Sequence, residues 1–214
     1  MKILSCGAGM QSTALALMSC ENKKEIKYKE VPIYDAVIFC DLGSEPIWVY
    51  KQVDFIKNAC EDAEIPFYIL DTHLHQDYLN NFGKRRVVSI PFWSVDENGK
   101  KGKMMRNCTL DYKINEIIKF VKYKLLGYAK YQRVKNEDLK AHEMHLGFSL
   151  EEKHRCKENK HKMFVNKFPL VDMELTRADN YKYILEKWGL DTKASACCFC
   201  PFHTNYLSLI HISE

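Results

Sequence analysis

No apolar run in this chain approaches the roughly 18–20 residues of a membrane-spanning helix. The opening MKILSCGAGMQS reaches glycine and polar residues too early for a secretory h-region, so the expected compartment is the cytoplasm. There is no internal repeat and no low-complexity tract, which excludes solenoids and compositional disorder. The dinucleotide fingerprint G-x-G-x-x-G and a Walker loop ending in Gly-Lys-Ser/Thr are both missing. So are H-E-x-x-H, the G-x-S-x-G elbow and a paired-carboxylate signature. His142 and His145, and His73 and His75, are close in sequence but lie outside any such motif.

Cysteine is abundant instead, with nine in 214 residues. In a reducing compartment these are expected as thiols or metal ligands rather than disulfides. The hydrophobic fraction of 46% and charged fraction of 28% are those of a folded globular chain. At roughly 100–200 residues per domain, a single domain over 1–214 is expected, with a cysteine-rich C-terminal segment at 190–214.

Charge is unevenly spread. The formal net charge is +4. Residues 1–100 carry −3, residues 101–140 carry +7, and residues 141–214 are neutral overall. The middle segment includes Lys101, Lys103, Arg106, Lys113, Lys119, Lys122, Lys124, Lys130 and Arg133. It reads either as a solvated helix face or as an anion-binding face for a nucleotide or nucleic acid.

The first 70 residues read β-α-β-α-β. Lys2–Ser5 is a short apolar strand that runs into the turn Cys6-Gly7-Ala8-Gly9. Ser12 or Thr13 can cap a helix carrying Leu15, Leu17 and Met18, and a polar linker occupies Glu21–Glu30. The continuous apolar run Asp35–Cys40 suits a strand buried on both faces. Pro46 opens a helix with Val49, Val53 and Ile56 at helical spacing, and Pro66–Leu70 is a third strand. This pattern predicts an α/β fold with a doubly wound parallel sheet, a Rossmann-like three-layer sandwich. Residues 72–109 read as loop or insertion. Thr109–Leu126 is a helix with Gly127 as its stop. His142–Phe148 is a fourth strand, Ser149–Cys156 a short helix, and Lys167–Met173 an extended run. Thr176–Trp188 is a helix capped by Thr176 and ended by Gly189.

The segment Ser5-Cys6-Gly7-Ala8-Gly9-Met10-Gln11-Ser12-Thr13 lies between a strand and a helix. Small residues let a ligand approach the backbone closely. The helix start offers free amides and a positive dipole end, which suits a phosphate or pyrophosphate. The alternative is an ordinary tight βα turn.

This segment resembles the pyrophosphate-binding PP-loop of adenine-nucleotide alpha-hydrolase-like enzymes. Within them the chain resembles the phosphoadenosine phosphosulfate (PAPS) reductase family. Phe39–Pro46 (FCDLGSEP) is similar to that family's acidic turn after the second strand. Arg106–Ile114 (RNCTLDYKI) is similar to its R-x-C-T-x-x-x-K segment, and Leu146–Glu152 (LGFSLEE) to its I-G-I-S-x-D-E turn. Cys197–Asn205 (CCFCPFHTN) is similar to the C-x-x-C-P-F-H end of many bacterial and phage members. The resemblance implies that Ser5, Gly7, Gly9, Ser12 and Thr13 hold nucleotide phosphates. It implies that Asp41 and Glu45 line the nucleotide crevice, although Asp41 also reads as a helix N-cap. Arg106 and Lys113 would contact substrate phosphate or sulfate beside Cys108, arginine being suited to bidentate oxyanion binding. Gly147 and Ser149 would complete the pocket.

The spacing Cys197-x-x-Cys200 can chelate a metal or cluster iron. Three readings stand open. One is a [4Fe–4S] cluster on Cys108, Cys197 and Cys200, with a fourth ligand from Cys198, Cys156 or His203. The second is structural zinc, and the third a redox-active or inert thiol set. Cys20, Cys40 and Cys60 lie in apolar contexts and read as small buried hydrophobes.

The implied cofactor is an adenine nucleotide, ATP or PAPS. One function is sulfonucleotide reduction with a thioredoxin-like reductant, although the Glu-Cys-Gly-Leu-His motif of such reductases is absent. Another is ATP pyrophosphatase chemistry, which adenylates and thiolates tRNA or DNA with a sulfur donor. The third is a non-catalytic nucleotide-binding regulatory module.

Overall fold

The structure, a computed structural model, describes residues 1–81, 84, 93–103, 107–198 and 200. Its strands are β1 (Lys2–Cys6), β2 (Ala36–Asp41), β3 (Phe67–Asp71), β4 (Trp93–Val95), β5 (Lys101–Lys103), β6 (His142–Leu146) and β7 (Phe164–Lys167). Its helices are α1 (Met10–Lys24), α2 (Ile47–Asp62), α3 (Leu74–Asn81), α4 (Asn115–Phe120), α5 (Pro169–Asp172) and α6 (Arg177–Trp188). The chain forms two compact units. The first comprises Met1–Phe39, Ile47–Ile69 and Ala129–Ser195; the second comprises Cys40–Pro46, Leu70–Tyr128 and the segment from Ala196.

The first unit is built on a five-stranded sheet in the order β3-β2-β1-β6-β7. The strands run parallel, with Ile3 beside Ala36 and His142 beside Phe164. Helices flank the sheet, and the fold is the expected α/β, doubly wound, Rossmann-like arrangement. From β1 the winding goes through β2 to β3 on one side and through β6 to β7 on the other. The boundary between β1 and β6 is therefore a topological switch point, where doubly wound sheets open a crevice at the carboxyl ends of their strands.

Burial explains the elements. In β2, Ala36, Val37 and Ile38 are fully buried, as a strand covered on both faces must be. Every residue of α1 from Ser12 to Cys20 is buried, so this helix is enclosed all round. It packs on α2, α5 and α6. Each fully buried Leu or Ile contributes about 1.5–3 kcal/mol, and Ile3, Leu4, Leu15, Leu17 and Ile56 are at zero exposure.

Several boundaries differ from expectation. The first helix starts at Met10 with Gly9 as N-cap, rather than being capped by Ser12 or Thr13, and it runs through Glu21 to Lys24. Lys167–Met173 is not extended throughout, because Pro169 opens a one-turn helix, where its fixed φ and missing N–H are tolerated. α6 matches expectation, with a capping box between Thr176 and Asp179 and Gly189 at φ 66°.

In the second unit, residues read as loop contain structure. They hold α3 and the antiparallel pair β4–β5, with Trp93 opposite Lys103. Only Leu74 of α3 is buried, so no apolar stripe announces that helix. Thr109–Leu126 is one helical run, with wide i→i+5 turns at Leu110–Ile114 and Val121–Leu125 on either side of α4. Gly127 ends it at φ 70°. Among the described residues, no helix is long and apolar enough to cross a membrane.

One core group makes stability pH-dependent. His145 is 3% exposed; its Nε2 lies 3.0 Å from Glu143 Oε2, and its ring packs edge-on to buried Tyr34. Burial lowers its pKa despite the Glu143 carboxylate, so the imidazole is neutral in the fold. Below about pH 6.5 the unfolded chain takes up a proton that the fold resists. Stability is then full above that pH and falls as pH drops from about 6.5 toward the folded pKa. The urea midpoint should fall between pH 7.5 and 5.5, and His145→Gln should flatten that fall; an equal slope in both proteins refutes the assignment.

Candidate functional site

The loop Cys6–Gly9 links β1 to α1 at the switch point of the first unit. Ala8 adopts φ 50°, a left-handed conformation that turns the chain sharply. The Ser12 hydroxyl accepts from Gly7 N at 3.2 Å and donates to Gly9 O at 3.1 Å. The Thr13 hydroxyl also donates to Gly9 O, at 2.9 Å, and Thr13 is fully buried. Both hydroxyls thus shape the loop itself. The backbone amides at the helix start are the loop's remaining donors, because the first turn has no intrahelical acceptors for them. The first turn of α1 carries no acidic residue to oppose an anion.

The loop that follows β6 closes on the same place. A Cβ on Gly147 would stand 2.7 Å from Ser12 N and 2.9 Å from Gln11 C, so only glycine fits. Ser149 is fully buried, and its hydroxyl reaches Glu152 Oε2 at 3.5 Å. Gln11 Nε2 donates to the same oxygen at 2.9 Å. Glu152 also pairs with Arg155, whose guanidinium lies 4.4 Å from the centroid of the Phe148 ring. Of the residues expected at the nucleotide, Ser5, Gly7, Gly9, Ser12, Thr13, Gly147 and Ser149 all belong to this unit, on β1, the β1–α1 connection and the segment after β6.

Sequence reasoning missed the clamp behind the loop. Gln52, on the buried face of α2, is 2% exposed. Its Nε2 donates to Ala8 O at 2.5 Å and to Lys193 O at 3.2 Å, while its Oε1 accepts from Lys193 N at 2.6 Å. Trp48 Nε1 donates to Ala194 O at 3.0 Å. Segment 193–195 is thereby held over the loop, and a Cβ on Gly9 would stand 2.9 Å from Ser195 Oγ. The available signal was one polar residue inside the apolar stripe Val49, Val53 and Ile56.

The second unit assembles a different group. Glu45, 1% exposed at its side chain, sits 3.4 Å from Lys113 Nζ through Oε1. The same oxygen accepts from Cys197 Sγ at 3.6 Å, and Glu45 Oε2 is buried with no hydrogen-bond partner among the described residues. Burial would lower the Lys113 pKa, but Glu45 outweighs it and the ammonium is held charged. Burial and the Glu45 charge push the Cys197 thiol up to about 12. Asp41 Oδ1 accepts from Gly43 N at 2.8 Å, so its carboxylate caps a turn rather than a helix. Arg106 lies outside the described residues.

Burial sorts the cysteines. Cys6, Cys20, Cys40 and Cys60 are buried, whereas Cys108, Cys156, Cys197 and Cys200 are partly accessible and Cys198 is exposed. Among the described residues, no three Cys, His, Asp or Glu side chains form a group that could hold a metal ion. His142 and His145 are paired with Asp138 and Glu143. His203 lies outside the described residues.

No protein-family model, no curated protein and no solved structure matches the chain.

Two outcomes follow from this geometry. Gln52→Leu leaves Ala8 O and Lys193 N unpaired, at about 1–3 kcal/mol each. The melting temperature should fall by about 2–4 °C per kcal/mol, and an unchanged value removes the clamp. Glu45→Gln deletes the charge that raises the Cys197 pKa, so Cys197 alkylation at pH 8, mapped by peptide mass spectrometry, should speed up several-fold. An unchanged or slower rate contradicts the assigned cause.

Proposed function

We propose that the chain is a PP-loop nucleotide-binding enzyme acting in sulfur chemistry, by sulfonucleotide reduction or nucleotide-dependent sulfur transfer. The carrying observation is the contact between Gly147 and the first turn of α1. Two strand-end loops converge there on a helix N-terminus at the switch point of a parallel sheet. That arrangement suits the phosphates of an adenine nucleotide. The resemblance to the PAPS reductase family supplies the rest of the reading: the nucleotide is ATP or PAPS, and the accessible cysteines are the sulfur-handling groups.

The two chemistries make different products. In reduction, a thiolate attacks the sulfur of PAPS, the nucleotide leaves, and a dithiol reductant releases sulfite. In transfer, ATP adenylates an acceptor oxygen with release of pyrophosphate, and a sulfur donor displaces AMP. Among the described residues of the second unit, Glu45 accepts the Cys197 thiol hydrogen and is the candidate proton acceptor in either case.

Titration calorimetry with ATP and with PAPS separates the substrates. Gly147→Ala forces the new methyl against Ser12 N and should weaken nucleotide binding at least tenfold and lower the melting temperature, affinity being read well below that temperature. Undiminished affinity in that variant, or no affinity of the parent for either nucleotide, would sink the loop assignment. Sulfite release from PAPS favours reduction, and pyrophosphate release from ATP with bulk RNA favours transfer.

A further inference from the structure

The edge strand β7 and the segment before it carry a concentration of charge that the nucleotide reading does not use. Residues 153–167 hold six basic residues and one acidic residue, a net +5 against +4 for the whole chain. Lys153, Arg155, Lys157, Lys160, Lys162 and Lys167 are all exposed, as is Lys140 beside them in the fold. Among the described residues, Lys157, Lys160 and Lys162 have no carboxylate within salt-bridge distance. The +7 segment at 101–140 is less available: Lys113 is bound to Glu45, Lys119 to Glu116 and Lys135 to Glu137.

Two of them, Lys140 and Lys157, line a groove of about 300 Å³ together with Cys156, the carboxylate Glu158, Asn159, Asn166 and Phe168 among others. That is the lower end of ligand-pocket sizes, room for one planar base. Its lining combines aromatic side chains with amides. The Phe168 ring stacks on Phe148 with centroids 5.8 Å apart, and Asn159 Nδ2 donates to Asn166 Oδ1 at 2.7 Å. A path of contacts leads to the loop, from Phe168 to Phe148, then Arg155, Glu152 and Gln11. Asn166 Nδ2 donates to Lys157 O at 2.9 Å, tying the preceding segment to β7, so simple strand addition by a peptide is obstructed.

We propose that this edge is a docking face for single-stranded nucleic acid, with one unpaired base in the groove and phosphates on the surrounding lysines. Phosphate contacts supply affinity, and base stacking on aromatic surface supplies the preference for nucleic acid over other polyanions. The proposal goes beyond the nucleotide site and does not require it.

Fluorescence anisotropy of the intact protein with labelled oligouridylate and oligothymidylate of about 12 nucleotides tests it, without ATP or PAPS. Both strands should bind, with a log–log salt slope near −0.7 per phosphate contact. The triple variant Lys157→Glu, Lys160→Glu, Lys162→Glu should bind at least tenfold more weakly and lower the slope by about two. Bound oligonucleotide should slow Cys156 alkylation in the parent protein. Tighter binding of the RNA and equal binding of both strands each support the face; the first adds the 2′-hydroxyl to what is read. Absence of binding, binding unchanged in the triple variant, or equal binding of an abasic strand, polyglutamate or anionic vesicles overturns the proposal. ATP and PAPS affinity is read separately, so failure of the loop assignment is not confused with failure of this face.

Discussion

Gly147 stands so close to the first turn of α1 that the main chain after β6 touches the main chain before Ser12. Much of the first unit serves that contact. β1 and β6 must pair in register, Ser5 beside Leu146, for their two exits to emerge side by side. α1 must be buried all round so that its start cannot drift from the strand that feeds it. The loop must then turn through a left-handed residue, Ala8, and the Gln52 amide pins the carbonyl at that turn. A side chain at 147 would separate two backbones, neither of which can move without breaking sheet pairing or helix packing. The cost therefore falls on the site and the core together.

The same economy governs the polar groups. Ser12 and Thr13 read as phosphate ligands by type and position, yet their hydroxyls are spent within the loop. This follows from the helix starting at Gly9: hydroxyls three and four residues later sit over the Gly9 carbonyl. The side chains thereby fix the path of the loop into the helix. In the second unit, Lys113 shows the converse. It counts toward a basic segment, but its charge is committed to a buried carboxylate, so a tally of residues overstates the field that a ligand would meet.

Local signals made the frame legible. Apolar runs marked β1, β2 and β3, and Thr176 with Asp179 and then Gly189 marked both ends of α6. What escaped depends on partners distant in sequence. Gln52 is an unremarked polar residue until Ala8 and Lys193 are placed around it, 44 and 141 positions away. α3 escaped because it buries one side chain, and periodicity cannot report a face that does not exist. Pro169 misled in the other direction, since an apolar run with a proline suits extended chain as well as a helix start.

Cysteine shows how far composition carries an argument. Nine thiols in one chain suggest a metal, but geometry divides them by environment. Cys20 and Cys60 face each other at 3.9 Å inside the packing of α1 and α2, where burial makes them small hydrophobes. Cys156 opens into a basic groove, with its thiol pKa raised by burial and by Asp172. Cys197 rests on a carboxylate that holds its proton on. The Lys113 ammonium acts the other way and favours the thiolate. The Glu45–Lys113 pair thus acts on the Cys197 proton from both sides, an effect that the C-x-x-C spacing alone does not report.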